Sequence, residues 1–275
     1  MATIEELYRR RFGLDPAAAA GPAEGMVAQL LGRRVCRRYT GEPLPAPLLE
    51  TLLACAQSAP SKSDLQQYSI VVVEEPERRR RIAGWVGDSW IADAGAILVF
   101  CGDLRRGRRI AALKGLPYDN DTVDMLVNAT ADAALAMMAF ITAAEASGLG
   151  CCPLSLIRNR IFEAAEMLAL PEGVYPWAGL CVGWPAATRE VSMRLPPSVV
   201  VHRERYDDAN LEAELAAYGE RRHQRQPIPP RSQRHAAIYG ELPVCHWSDN
   251  VARQLSLRER ATFTEFLKRN GFGLE

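Results

Sequence analysis

The sequence predicts an α+β fold, a small sheet set among more numerous helices, and three observations predict it. Short apolar runs at 70–73, 97–101 and 178–182 are bounded by charged residues, prolines or glycines, as strands are. Stretches with apolar residues at helical spacing separate these runs, so the strands are few. The stretch "VDMLVNATADAALAMMAFITAAEAS" (123–147) is apolar around most of its circumference, which predicts a helix covered on all sides, within a core or against a second copy of the chain.

Taken in order, residues 4–12 have the pattern of a first helix. "DPAAAAGPAEG" (15–25) follows, whose alanines favour a helix that its prolines and glycines interrupt, so it reads as a connector. Apolar residues return at 26–31, and Pro47 is placed to open the helix "PLLETLLACAQSA", because a first-turn residue needs no N–H. The strands at 70–73 and 97–101 both read as interior. After "GLGCCPLSLIRNR" (148–160) a helix is predicted near 160–169, then the third strand. From His202 the chain turns polar: "ERRHQRQPIPPRSQRH" (220–235) reads as an extended arm and 256–269 as an amphipathic helix. The resulting division is 1–25 as helix and connector, 26–206 as the body, and 207–275 as an extension.

At 275 residues the chain can bury a core as one large domain or two small ones. Lys+Arg 33 balance Asp+Glu 33, so no net field recruits nucleic acid or membrane, and an anionic partner has to be held by local charge. The runs "ERRRR" (77–81) and "RRGRR" (105–109) lack the interleaved aromatics that single-strand binding uses, which argues further against nucleic acid. Seven cysteines, with no CxxC pair and no Cys/His cluster at zinc-like spacing, predict no metal site and a reducing, cytoplasmic setting. The start "MATIEELYRRRFG" has charges where a signal peptide needs an apolar core, and no membrane span is expected.

Two polar segments stand out. "GRRVCRRYTGEPLP" (32–45) groups Arg33, Arg34, Arg37 and Arg38, which read as a solvated basic turn or as forks for a phosphate; spacing does not decide. In "SAPSKSDLQQYSIVVVEEP" (58–76), Ser61, Ser63, Asp64 and Gln66 place short donors and acceptors just before a strand, as an ordinary polar turn or as a lining for a polar planar ligand.

In this order, "RRVCRRYTGEPLP", "APSKSDLQQYSIVVVEEP", "GLGCCPLSLIRN" and "GLCVGWP" resemble the FMN-dependent nitroreductase family over roughly 30–206. "RLPPSVVVHRERY" and the terminal "HWSDNVARQLSLRERATFTEFLKRNGFG" are similar to its branch of oxygen-insensitive NADPH nitroreductases and NADPH:flavin oxidoreductases. The resemblance implies a mostly antiparallel sheet flanked by helices, and a homodimer that exchanges its C-terminal arms and holds FMN in two interface pockets. It implies that Arg33, Arg34 and Arg37 hold the FMN phosphate, with Arg194 closing that side. It further implies that Ser61, Ser63, Asp64 and Gln66 contact the ribityl chain or ring edge. Pro153, Leu154, Ser155 and Leu156 are then the segment at the flavin, with the backbone of Ser155 and Leu156 nearest N5.

Several positions depart from the family's pattern. Val35 stands where relatives usually carry serine, Asp64 where many carry asparagine, and Ser192 where this branch usually carries a second phosphate-binding lysine. Ser155 and Leu156 replace a glycine pair at the N5 edge, where leucine crowds an approach that glycine permits. The activity implied is an NAD(P)H oxidoreductase that reduces nitroaromatic, quinone or flavin acceptors by ping-pong hydride transfer. NADPH is favoured over NADH by the branch and by the basic arm, where Arg221, Arg222, Arg225, Arg231 or Arg234 would meet a 2′-phosphate. His202, His223, His235 and His246 form no triad with a serine, which suits chemistry carried by a cofactor. The altered N5 segment keeps open a specialised flavoenzyme with another substrate, or a flavin carrier with little reductase activity.

Overall fold

The computed structural model describes residues 2–16, 21, 24–188 and 190–275. Along the chain run α1 (Ile4–Phe12), α2 (Gly25–Gly32), α3 (Ala46–Gln57), β1 (Tyr68–Val73), α4 (Pro76–Val86), β2 (Ala96–Asp103), α5 (Arg105–Leu113) and α6 (Val123–Ala146). Then come β3 (Gly150–Leu154), α7 (Ile161–Met167), β4 (Val174–Gly183), α8 (Pro197–Val200), α9 (Leu211–Arg225), α10 (Ala236–Tyr239), α11 (Trp247–Leu255) and α12 (Phe263–Arg269). Of the connector expected at 15–25, residues 17–20, 22 and 23 lie outside the described residues.

The chain packs as two units, one of residues 35–189 with 260–275, the other of 1–34 with 190–259. The first is built on a four-stranded sheet of order β1-β2-β4-β3, antiparallel throughout. β2 is buried along its whole length because both sheet faces are covered. Leu98 and Phe100 point into a core with α3 and α6, while Ile97, Val99 and Cys101 point into one with α4 and the turn after β3. That two-sided burial explains why its sequence is continuously apolar instead of alternating. On the α6 side, Ala129, Ala133, Ala136 and Ala144 let the helix approach closely, and Phe140 meets Phe100 edge to face at 6.3 Å.

The first strand differs from expectation. β1 is an edge strand in which only Val73 is fully buried, so the β-branched run marks half-covered sheet surface and not an interior position. β3 was not expected at all: Pro153 and two cysteines hide the strand pattern, and proline is tolerated there because β3 is the opposite edge. Gly150 is required by packing, since a Cβ on it would lie 2.5 Å from Cys36 Cβ. Long enough and apolar enough to cross a membrane by length and composition, α6 instead turns its alanine face into this core. On its other face Val127, Leu135 and Met138 are exposed, so one chain does not cover it on all sides.

Within β4, Tyr175 is 1% exposed, and its hydroxyl donates to Leu126 O at 3.2 Å and lies 2.6 Å from Thr130 Oγ1. Burial pushes the phenol up to about 12, so it stays neutral across the working pH range. Thr130→Val keeps the shape and removes one partner, and should cost about 1 kcal/mol, read as a lower urea midpoint at unchanged slope.

In the second unit, α1 opens with a capping box in which Thr3 and Glu6 satisfy each other's backbone N–H. The polar stretch expected to be an extended arm at 220–235 is helical to Arg225, as the last turns of α9. Beyond it Gln233 is buried and exchanges two 2.8 Å hydrogen bonds with Leu242. The amphipathic helix expected at 256–269 is confined to α12, because Arg260 adopts a left-handed φ of 53° that an α-helix cannot hold. Its Phe266 and Leu267 are buried in the sheet unit, so residues 260–275 pack into their own chain's core.

Candidate active site

The sheet unit carries a polar bend with unusual backbone. Ser63, Asp64 and Gln66 all have left-handed conformations, with φ of 51°, 58° and 50°. Each costs about 1–2 kcal/mol for a residue with a Cβ. An anchor offsets that strain. Asp132 of α6, 1% exposed, accepts hydrogen bonds from Ser61 Oγ at 2.8 Å and from the backbone N–H groups of Lys62 and Gln67 at 2.9 Å each. Bonds to an ionised acceptor contribute about 1.5–3 kcal/mol apiece, so the carboxylate outweighs the strain it holds in place. Ser61 Oγ also accepts from Gln66 N at 2.7 Å, which leaves this hydroxyl bound within the bend. Ser63, Asp64 and Gln66 are exposed, with Gln66 Nε2 donating to Asp64 Oδ1 at 3.0 Å.

The exit of the bend is braced from the other side. Arg106 donates to Gln66 O at 2.6 Å, to Tyr68 O at 3.1 Å and to Ser69 Oγ at 3.0 Å, while Ser69 Oγ donates to the buried Asp103 at 2.6 Å. In the same "RRGRR" run Arg108 binds Asp121 and Arg105 donates to Glu172 O at 3.4 Å, so three of these four arginines serve the fold. In "ERRRR", Arg78 pairs with Glu75, Arg80 with Glu77, Arg79 donates to Ala94 O and Arg81 lies over Trp85.

In the same unit, Arg37 is exposed at the surface of a strap whose Cys36 N donates to Cys151 O at 3.0 Å and whose Tyr39 hydroxyl donates to Cys36 O at 3.0 Å. After β3, the predicted N5 segment alternates: Pro153 and Ser155 are exposed, Leu154 is buried, and Leu156 is 37% exposed, turned away from its own core. Arg260 reaches this segment from the chain's terminal stretch, its Nη2 donating to Ser155 Oγ at 3.2 Å. Cys36, Cys151, Cys152 and Cys181 cluster behind these strands, all buried and reduced, and burial holds the Cys181 thiol well above its ordinary range. They are inert packing groups. Among the described residues, no group of three or more His, Cys, Asp or Glu side chains is placed to hold a metal ion.

The second unit carries Arg33, Arg34 and Arg194 on two straps, and one buried residue ties these together. Arg11, 7% exposed, donates to Leu31 O at 2.9 Å, to Arg33 O, and to Ser192 O at 2.9 Å, while its own carbonyl accepts from Arg194 N at 2.8 Å. The strap at 191–194 is gripped again from α9: Gln226 accepts from Met193 N at 3.2 Å and donates to Val191 O at 2.9 Å, and the Tyr218 hydroxyl donates to Met193 O at 3.3 Å. The straps hold Arg34 and Arg194 with their side chains exposed. Gly13 ends α1 at φ 67°, the left-handed conformation that favours glycine.

The expected residues thus fall into two groups: Arg37, Ser61, Ser63, Asp64, Gln66 and 153–156 in the sheet unit, Arg33, Arg34 and Arg194 in the other. Sequence reasoning missed Asp132, Arg106, Arg260 and Arg11. Asp132 had a visible signal as the lone acid amid "NATADAALAMMAF"; the three arginines had none.

The sheet unit, an antiparallel sheet flanked by helices with a polar bend before β1, is of the α+β class. The chain matches the Nitroreductase family over residues 30–184 and the C-terminal domain of the Nitroreductase family over 192–275, and it belongs to this family. It is 30% identical over 257 residues to the FMN reductase [NAD(P)H] of Bacillus subtilis, covering 91% of this chain and 98% of that one. It is 32% identical to the oxygen-insensitive NADPH nitroreductase of Salmonella typhimurium, covering 88% and 96%. Among solved structures, NfrA2 of B. megaterium superposes with a TM-score of 0.83 at 29% identity, over 91% of this chain and 98% of that one. The NADPH:FMN oxidoreductase of Vibrio harveyi, complexed with NAD+, superposes with a TM-score of 0.76 at 27% identity, over 90% and 97%.

Proposed function

We propose that this chain is an FMN-dependent NAD(P)H oxidoreductase that reduces nitroaromatic, quinone or flavin acceptors. The observation that carries the reading is the Asp132-held bend, a strained polar loop whose exposed groups have a buried carboxylate dedicated to their placement. Family membership and the names of the relatives support the same class. The residues fit an FMN. Arg33, Arg34, Arg37 and Arg194 are a donor set for a phosphate monoester, and Ser63, Asp64 and Gln66, with the backbone at Ser61, suit the ribityl hydroxyls and the polar ring edge.

Bound there, FMN supplies the hydride and electron chemistry that side chains lack, and NADPH or NADH is the reductant. The protein's part is to bind, orient and bias charge. The backbone N–H groups of Ser155 and Leu156 serve the N5 edge, and Arg260, held by Ser155, sets a cation beside that segment that favours negative charge developing there. Leu156, turned to the surface, acts as a gate on what stacks against the ring. Nicotinamide and acceptor then take turns in one place, which gives ping-pong kinetics. The chain works as a cytoplasmic homodimer. The exposed Val127, Leu135 and Met138 stripe of α6 supports a second copy there, and arm exchange is proposed for 207–259 only, because 260–275 pack at home.

The experiment is an anaerobic titration of flavin-loaded protein with NADPH, followed at the flavin bands. Stoichiometric bleaching, with colour restored by a quinone or nitroaromatic, is expected; a flavin spectrum that NADPH and NADH both leave unchanged counts against a reductase and favours a carrier.

A further inference from the structure

Ser192 leaves the phosphate side short of the cation that this branch usually carries there, and the structure brings other cations to the same strap. α9 carries Arg221 and Arg222 in the stretch between Tyr218 and Gln226, the two residues that bond the backbone of Met193. The point that a Cβ on Gly13 would occupy lies 2.5 Å from Met193 Cε and 3.9 Å from Arg221 Cδ, so Arg221 and the side chain next to Ser192 approach the same spot. Arg221 Nε and Nη2 and Arg222 Nε are buried, and these atoms have no hydrogen-bond partner among the described residues. The adjacent acid is turned elsewhere, with Glu220 Oε1 lying 3.2 Å from His246 Nε2. Burial raises the pKa of the Tyr218 phenol, while the charges of Arg222, Arg194 and Arg221 all pull it down.

Buried guanidinium nitrogens without an acceptor are costly, and an anion that supplies acceptors removes the cost. Other arginines of the polar stretch are placed differently: Arg225 donates to the carbonyls of Arg9 and Arg10, and Arg231 and Arg234 are exposed. We propose that Arg221, seconded by Arg222, replaces the missing lysine and completes with Arg194 a cradle for the phosphate monoester of the bound flavin. This rests on the FMN reading above. It withdraws both residues from the role of 2′-phosphate ligands for NADPH.

The test compares FMN with riboflavin, which lacks the phosphate, binding to the full-length apoprotein, the R221M variant and the R221K variant, with KM for NADPH and NADH measured alongside. For R221M, FMN affinity is expected to fall about ten- to hundredfold with riboflavin affinity unchanged, as loss of one charge-assisted contact dictates. R221K should keep most of the FMN affinity, and the NADPH to NADH preference should not move. FMN affinity within twofold of wild type, or an equal loss for riboflavin, overturns the inference while leaving the FMN reading intact. Loss of NADPH preference with FMN binding unchanged overturns it in favour of the nicotinamide phosphate. A wild-type protein that binds neither flavin overturns the FMN reading and this inference together.

Discussion

Asp132→Asn is expected to lower stability by about 3 kcal/mol and to weaken FMN binding at least tenfold. The carboxylate is buried and accepts from three donors on the 61–67 bend, two of them backbone N–H groups. An amide retains one acceptor oxygen and turns an NH2 toward a donor, so at least one buried N–H or O–H is left unmade. The strain at Ser63, Asp64 and Gln66 then has nothing to hold it, and these residues relax toward ordinary backbone. Urea unfolding should show a lower midpoint at unchanged slope. Fluorescence titration should show the loss of FMN. A destabilised variant that binds FMN as tightly as wild type would remove the bend from the site while leaving its structural role in place.

Arg11→Met should produce a loss of similar size through the other unit. The guanidinium satisfies carbonyls on two straps at once, at Leu31, Arg33 and Ser192, and methionine fills the volume without replacing a single donor. Breaking hydrogen bonds from a buried charged group costs about 1.5–3 kcal/mol each, so about 3 kcal/mol is expected after water satisfies the more exposed carbonyls. Arg33, Arg34 and Arg194 would no longer be held in fixed relation. FMN affinity should fall while riboflavin affinity falls less if, as proposed, the groups disturbed are those that read the phosphate. Equal losses for both flavins would mean that the straps do not address the phosphate.

The parts of this protein that were legible from sequence are those whose cause is local. β2 and β4 show as apolar runs because each lies between two covered faces, and α6 shows because its length and composition leave little alternative. The basic straps and polar bend were legible as polar clusters, between a solvated turn and a ligand lining, and spacing alone did not choose. The remainder depended on tertiary partners. β3 was hidden because Pro153 breaks a strand pattern unless the strand is an edge, and edges are fixed by topology. β1 was misjudged for the same reason: six β-favouring residues do not tell a central strand from an outer one. Asp132 and Arg11 lie 71 and 181 residues from the groups they hold at Ser61 and Ser192, a distance in sequence that no local pattern spans. The break at Arg260 was illegible because a left-handed arginine looks like a helical one until Ser155 is seen beneath it.

The most direct test of the account is the identity and amount of flavin that the protein retains. Purified chain is reconstituted with a mixture of FMN, FAD and riboflavin, freed of excess by gel filtration, denatured, and the released flavin is separated and counted against protein. One FMN per chain in a particle of twice the chain mass, with riboflavin left behind, is the predicted result. No retained flavin, or riboflavin held as well as FMN, would contradict the proposed FMN reading.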